Sequence, residues 1–437
     1  MTGWKGLQMP MQPLRFAMVT TFYPPFNLGR DGIAVQRLSR ALVARGHSVD
    51  VIHDTDAYRF LSGDAPEIPY DNDGVRVHRL RSPNKVWSSL TVQQLGRPTT
   101  HRERLLELLD DRYDVIHYHN ISLVGGPGVW SLGTGVKLHT AYDFWLVCPS
   151  HILWRDGKEP CDSKRCIRCV VRHRRPPQLW RAGNSLVREA RNIDAFMALS
   201  ESSKQLHRKF GFEERMTVVP PFLPFETPNL KTTRPTDTNK RPFFLYVGRL
   251  DHIRGLQNLI PHFDENLDAD LFIAGSGDFE NELRQLANGN PKIKFLGQKP
   301  MEELRKLYHD ARALVMPSLG LETFPLVVME AFREGTPLIA NNIAPYPELI
   351  RETGGGAIYR TDQDLAGTLR RFLMDDGYAS DLGRKAFAGF ARRWREDVSM
   401  ERYFDVIREV AQRRGLSQLI EKLDSPADRV AAANEPT

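Results

Sequence analysis

Residues 316–350 read MPSLGLETFPLVVMEAFREGTPLIANNIAPYPELI, and the fold is decided there. The run Leu314 to Met316 reads as the end of a strand, a loop follows, and a helix begins near Pro325. Proline suits the first helical position, because its missing N–H has no intrahelical partner there. The free amides around Phe324 and Leu326, with the positive end of the helix dipole, predict a site for an anion such as phosphate. Two acids flank the turn, Glu322 in the loop and Glu330 on the helix. A carboxylate accepts two hydrogen bonds side by side, which matches the vicinal hydroxyls of a sugar or a ribose. Taken alone, Glu330 reads equally well as a helix-surface acid.

The same strand-loop-helix unit recurs upstream of this stretch. LRFAMVT (Leu14 to Thr20) predicts a strand, TFYPPFNLGRDG a loop, Ile33 to Arg45 a helix capped by Gly46, and Ser48 to His53 a second strand. After Lys240, RPFFLYVGRL predicts a buried strand ending at Gly248 and a helix from about Gly255, and Leu271 to Ala274 continues the series. Repeated β-loop-α units predict an α/β protein with parallel sheets. At 437 residues the chain is too long for one ordinary core and long enough for two. The expected division is a flexible N-terminus (1–13), a first domain (14–220) with a Cys-rich basic insertion (148–191), and a linker (221–240). A second domain (241–390), crossover helices (391–414) and a partly disordered tail (415–437) complete it.

Composition narrows the function. No run of eighteen apolar residues and no signal-peptide core occur, which predicts a cytoplasmic protein. The formal charge is +6, and residues 151–195 alone carry eleven Lys/Arg against five Asp/Glu. Such a run reads as a solvated face, or as a patch for an anionic ligand or a membrane surface carrying a lipid-linked acceptor. All four cysteines, Cys148, Cys161, Cys166 and Cys169, fall in that region. In a reducing compartment the C-x12-C-x4-C-x2-C array offers four thiolates for a structural zinc, with free thiols or a redox pair as alternatives. Four thiolates close the coordination shell, so such a zinc is not catalytic.

The E-x7-E spacing of Glu322 and Glu330 within PSLGLETFPLVVMEAFREGTPLIA resembles the donor-site signature of family 4 glycosyltransferases. VGRLDHIRG (Val247 to Gly255) is similar to that family's GRLxxxKG, with Arg254 where Lys is usual. The resemblance spans roughly Leu14 to Val410, is specific in the second domain and looser in the first. It implies the GT-B fold: two Rossmann-like domains facing each other across a cleft, with a C-terminal helix crossing back to the first. It further implies that Glu322 contacts the transferred sugar, Glu330 grips the ribose, and backbone amides across Thr323, Phe324 and Leu326 bind the distal phosphate. Pro325 removes one such amide. Gly248 would let backbone approach the donor and Gly32 the diphosphate or the acceptor, and Arg249 and Arg254 would neutralise the diphosphate without a metal. KLHTAYDFWLVCPS is similar to the family's LHDYWLLCP, which leaves Asp143, His139 and Tyr142 as alternatives for contact with the reacting sugar or acceptor.

The expected activity is therefore retaining transfer of a sugar from a UDP- or GDP-sugar to a saccharide or lipid-linked acceptor, with no cofactor for catalysis and no nucleic-acid partner. Rival readings are a GT-B sugar phosphorylase or nucleotide-sugar epimerase, and a non-enzymatic basic binding protein. Three D-x-D triplets, at Asp54/Asp56, Asp71/Asp73 and Asp268/Asp270, are the only hint of metal dependence, and none adjoins the cationic pair in sequence. A dehydrogenase is disfavoured because G-x-G-x-x-G is absent.

Overall fold

Strands of a parallel sheet are covered on both faces, so they read as continuous apolar runs, and RFAMVT, VIHY and FFLYV obey this. The computed structural model describes residues 13–63, 73–110, 112–163, 165–173, 175–224 and 241–424. The expected N-terminus up to residue 12, residues 225–240 of the expected linker, the tail from 425 and Asp71 lie outside the described residues.

The first lobe runs β1 (Arg15–Thr20), α1 (Arg30–Ala44), β2 (Ser48–Asp54), α2 (Thr55–Ser62), β3 (Arg76–Leu80), α3 (Lys85–Leu95), α4 (Arg102–Leu108), β4 (Val115–Tyr118) and β5 (Val136–Ala141). There follow a small hairpin of β6 (Trp154–Arg155) and β7 (Glu159–Pro160), α5 (Cys166–Arg172), α6 (Ser185–Ala190), β8 (Ala195–Ala198), α7 (Glu201–Lys209) and β9 (Met216–Val218). Its seven-stranded sheet has the order β3-β2-β1-β4-β5-β8-β9, and every pairing in it is parallel.

The second lobe contains β10 (Phe243–Val247), α8 (Leu256–Leu259), β11 (Asp270–Ala274), α9 (Glu280–Ala287), β12 (Ile293–Gly297), α10 (Met301–Asp310) and β13 (Leu314–Met316). It continues through α11 (Leu326–Arg333), β14 (Leu338–Asn341), α12 (Tyr346–Thr353), β15 (Gly356–Tyr359) and α13 (Asp362–Met374). The six strands are ordered β12-β11-β10-β13-β14-β15, again all parallel. Strand order reverses between β1 and β4 in one lobe and between β10 and β13 in the other. At such a reversal the loops leave in opposite directions and open a crevice at the carboxyl ends of the strands.

α14 (Asp376–Arg393) and α15 (Glu396–Arg414) join the lobes. α14 contributes Ala386 and Phe390 to the second core, and α15 buries Met400, Tyr403, Ile407 and Val410 in the first. Trp394, at the elbow between them, is 2% exposed and lies 5.4 Å edge-on from Phe324 and 5.9 Å from Phe332. In the described part of the segment beyond Arg414, α16 (Ser417–Leu423) buries Leu419 and Leu423 against the first core.

Candidate active site

The two sheet reversals face each other, and the space between them is a cleft with two compartments of about 620 and 730 Å³ that share Gly29, Arg30, Tyr142, Asp143, Arg249 and Phe324. The smaller compartment lies against the second lobe. β10 is followed by Gly248, whose φ of 159° is extended, and then by Arg249, with its side chain 69% exposed in the cleft and its Nε 3.1 Å from Asp251. Gly255 carries a left-handed φ of 76°, and a Cβ there would stand 1.9 Å from the Pro317 carbonyl oxygen. Only glycine lets the Arg254 turn press this closely on the loop after β13.

That contact brings Arg254 to Glu322, with Nη1 2.5 Å from Oε1. Tyr346 OH donates to the same oxygen at 2.6 Å and Ser318 Oγ at 3.0 Å. Burial works against the Glu322 charge, but Arg254 and these donors outweigh it and hold the carboxyl below its usual range. Glu322 is thus an anion whose Oε1 is fully engaged.

α11 begins at Leu326 with Pro325 as its N-cap, so proline stands one residue before the first helical position. Phe324, Pro325, Leu326 and Val327 all line the smaller compartment. Glu330 lies one turn deeper than Leu326, 5% exposed, and Tyr308 OH donates to its Oε2 at 2.9 Å. Arg249, Arg254 and Glu322 therefore share one wall, whereas Glu330 stands behind it. Thr323 is committed elsewhere: its Oγ1 donates to the Tyr142 carbonyl at 2.6 Å, and its own carbonyl accepts from Ser200 Oγ at 2.7 Å. It bridges the lobes.

The first lobe supplies the opposite wall. α1 starts three residues earlier than its apolar pattern predicts, so Arg30 and Asp31 form its first turn. Gly29 and Arg30 line the cleft, while Gly32 packs under the Asn27 side chain, where a Cβ would meet Oδ1 at 2.3 Å. Gly32 itself does not line either compartment. Asp143 lines both compartments, and its carboxylate receives the Trp145 amide at 2.8 Å and pairs with His151 Nδ1 at 2.7 Å. Burial would raise its pKa, but His151 prevails and lowers it. Asp31, held at 2.8 Å by Asn120 Nδ2, is instead raised, by burial and by the nearby Asp143 charge.

His139 is excluded from this wall. Its ring lies between Trp130 at 5.1 Å and Phe196 at 5.7 Å, it is 2% exposed, and burial lowers its pKa to about 3. Tyr142, not His139, reaches the cleft. Tyr346, Tyr308, Asp31, Asn120 and His151 carry no role in the motifs read from the sequence, and Ser318 lies within the donor-site signature without one. Their roles arise from partners distant along the chain.

Two of the D-x-D triplets lie away from the cleft. Asp54 and Asp56 are fully buried with His101, the one group of potential metal ligands among the described residues whose atoms all lie within 4.8 Å of one another. Asp56 accepts from Ser82 and pairs with His101 at 3.1 Å. Asp268 and Asp270 are paired with Arg241. None of the four lines the cleft. In the insertion, Cys148, Cys161, Cys166 and Cys169 are unbridged and line one small cavity. Burial pushes the Cys161 thiol up to about 12, and the other three sulfurs add to the rise.

Two family models cover most of the chain, one described as glycosyl transferases group 1 over residues 231–388 and one as a glycosyl transferase 4-like domain over residues 32–221. An uncharacterized glycosyltransferase of Methanocaldococcus jannaschii is 28% identical over 84% of this chain and 90% of its own length. Glycogen synthase of Mycobacterium tuberculosis is also 28% identical, over 85% and 89%. Sucrose-phosphate synthase from Thermosynechococcus elongatus superposes with a TM-score of 0.64 at 20% identity, over 91% of this chain and 99% of that one. Anabaena HepE in complex with UDP-glucose gives 0.61 at 15%, over 92% and 99%.

Proposed function

The chain belongs to the family 4 glycosyltransferases of GT-B fold, and from that premise we propose that it moves a sugar from a nucleoside diphosphate donor to a saccharide or lipid-linked acceptor with retention at the anomeric carbon. The carrying observation is the convergence of Arg249, Arg254 and Glu322 on one compartment at the carboxyl ends of β10 and β13.

Arg249 and Arg254 are the counter-charges of the diphosphate, which carries about two negative charges and gains more as it leaves. With two guanidiniums in place, transfer needs no divalent cation. The first amides of α11 meet the distal phosphate, with Pro325 contributing none. Glu322 keeps Oε2 for a sugar hydroxyl while Arg254 holds Oε1. Glu330 serves the ribose from behind Leu326 and Val327, with Tyr308 fixing its orientation. Gly248 gives backbone access to the donor. The UDP-glucose complex of HepE favours a UDP-sugar, with a GDP-sugar as the alternative donor.

No enzyme nucleophile is needed if the acceptor attacks from the face the diphosphate leaves and the leaving oxygen takes its proton. Asp143, ionised beside His151, orients the acceptor in the larger compartment, whose lining is mostly apolar. Among the described residues no helix is long and apolar enough to cross a membrane. We assign the enzyme to the cytoplasm, where nucleotide sugars are available, and the basic insertion to the side from which an anionic lipid-linked acceptor enters.

The test combines a thermal-shift screen of UDP-, GDP-, ADP- and dTDP-sugars with transfer assays in EDTA. A donor at a hundred times its Kd stabilises the second lobe by about 2.7 kcal/mol. Transfer persisting in EDTA with an unchanged anomer supports the proposal. Loss in EDTA with recovery on Mg²⁺, or inversion of the anomer, contradicts it.

A further inference from the structure

The hairpin and α5 between Cys148 and Arg172 lack the usual sources of order. The hairpin strands are two residues each, and α5 has seven residues, well short of the ~12 at which an isolated helix becomes even marginal. Its aliphatic side chains Ile167 and Val171 point outward at 75% and 60% exposure, which leaves Val170 and Cys169 as the side chains it buries. The local apolar cluster has only Phe144, Cys148, Leu153 and Phe210 as buried members. Yet the backbone is strained here. Three of the five non-glycine residues with positive φ among those described are His151 (71°), Leu153 (47°) and Asp156 (52°). Each such conformation costs on the order of 1 kcal/mol and persists only where the surroundings enforce it.

What the four cysteines share is a cavity of about 20 Å³, room for about one water-sized occupant, although no three of their sulfurs lie within 4.8 Å of one another and an ion would have to draw them together. Cys148 enters it from the cleft loop, Cys161 from the end of the hairpin, and Cys166 and Cys169 from the first turn of α5. The Asp156 amide donates to Cys169 Sγ at 3.4 Å, the kind of bond that steadies a thiolate. Arg155 and Arg165 line the same cavity and oppose the double negative charge that four thiolates around a divalent zinc would carry.

We propose that these four cysteines bind one structural zinc ion, each losing its proton, and that the metal supplies the order the apolar core does not. The zinc ties α5 and the hairpin to Cys148, three residues from His151, and thereby sets the cleft wall that pairs with Asp143. The proposal is independent of the donor chemistry, because none of its ligands touches the donor compartment.

The full chain, purified without chelator, is assayed for metal by mass spectrometry. Roughly one zinc per chain is expected, and replacement with Co²⁺ should give the visible bands of a tetrahedral tetrathiolate site. Cys161→Ser and Cys166→Ser should each hold roughly tenfold less zinc. Should these variants fail to fold, the cobalt spectrum of the unaltered chain decides. Absence of zinc with four freely titrating thiols in the native protein, a disulfide, or an iron–sulfur chromophore each overturns the proposal.

Discussion

Glu322 places three donors on one oxygen, and each reaches it from a different element: Arg254 from the turn after β10, Ser318 from the loop after β13 and Tyr346 from α12. Tyr346 is wholly buried, and burial raises its phenol far above physiological pH, so it remains a donor. Tyr346→Phe removes one hydrogen bond to a charged group, about 1.5–3 kcal/mol, while Arg254 stays to hold the diphosphate. The expectation is a fall in kcat of roughly tenfold or more with donor KM nearly unchanged. A raised KM at full kcat would instead make Tyr346 a ground-state binding residue. Glu322 and Arg254 were legible because both lie in short local motifs. Tyr346 was not, since its role depends on a chain reversal 24 residues away. His139 misleads for a simpler reason. Alternation along β5 sends Leu138 and Thr140 toward the crossover helix, and His139 with Ala141 to the opposite face.

At the scale of elements, apolar periodicity found the strands well and the helix starts poorly. β1 and β10 were readable because buried parallel strands leave no polar gaps. The start of α1 was not, since Arg30 and Asp31 are polar first-turn residues that carry no apolar signal. That shift matters to the site, because it moves the first-lobe contribution from Gly32 to Gly29, Arg30 and Asp31. The helix expected from Gly255 is only the four-residue α8, preceded by a single 3-10 turn that carries Arg254. α16 was hidden for the opposite reason. Leu419 and Leu423 give it one apolar contact per turn, enough to dock on a core but too little to stand out in a polar segment.

Across the whole molecule, the histidines that burial holds neutral all lie in the first lobe: His47 with a pKa of about 4, His53, His119 and His139 with pKa values of about 3, and His117 and His207, also lowered. In the unfolded chain these groups protonate near pH 6.5. Unfolding therefore takes up protons, so stability present above about pH 6.5 is lost as pH falls toward the folded values. Asp54 and Asp31 act in the other direction, because burial raises the pKa of both, that of Asp54 to about 7, and their contribution is lost as pH rises, but they are two groups against six. Among the described residues the tryptophans are Trp87, Trp130, Trp145, Trp154 and Trp180 in the first lobe and Trp394 at the elbow. Their fluorescence should report acid unfolding of the first lobe that begins below pH 6.5. A first lobe unchanged down to pH 4 would contradict the burial of these imidazoles. The two-lobed arrangement itself was legible from chain length and repeated β-loop-α units, whereas the contacts that set one lobe on the other, such as Thr323 on Tyr142, were not.

The central claim is that the cations after β10 hold the departing diphosphate. Arg254 is a poor probe, because its loss leaves Glu322 buried and unpaired. Arg249 is a clean one, being 69% exposed and paired only at the cleft surface with Asp251. The measurement is the initial rate of sugar transfer by Arg249→Ala with the best-stabilising donor, beside its thermal unfolding. The account predicts unchanged unfolding with a rate reduced on the order of 10²- to 10³-fold. Transfer within twofold of the unaltered chain would contradict it.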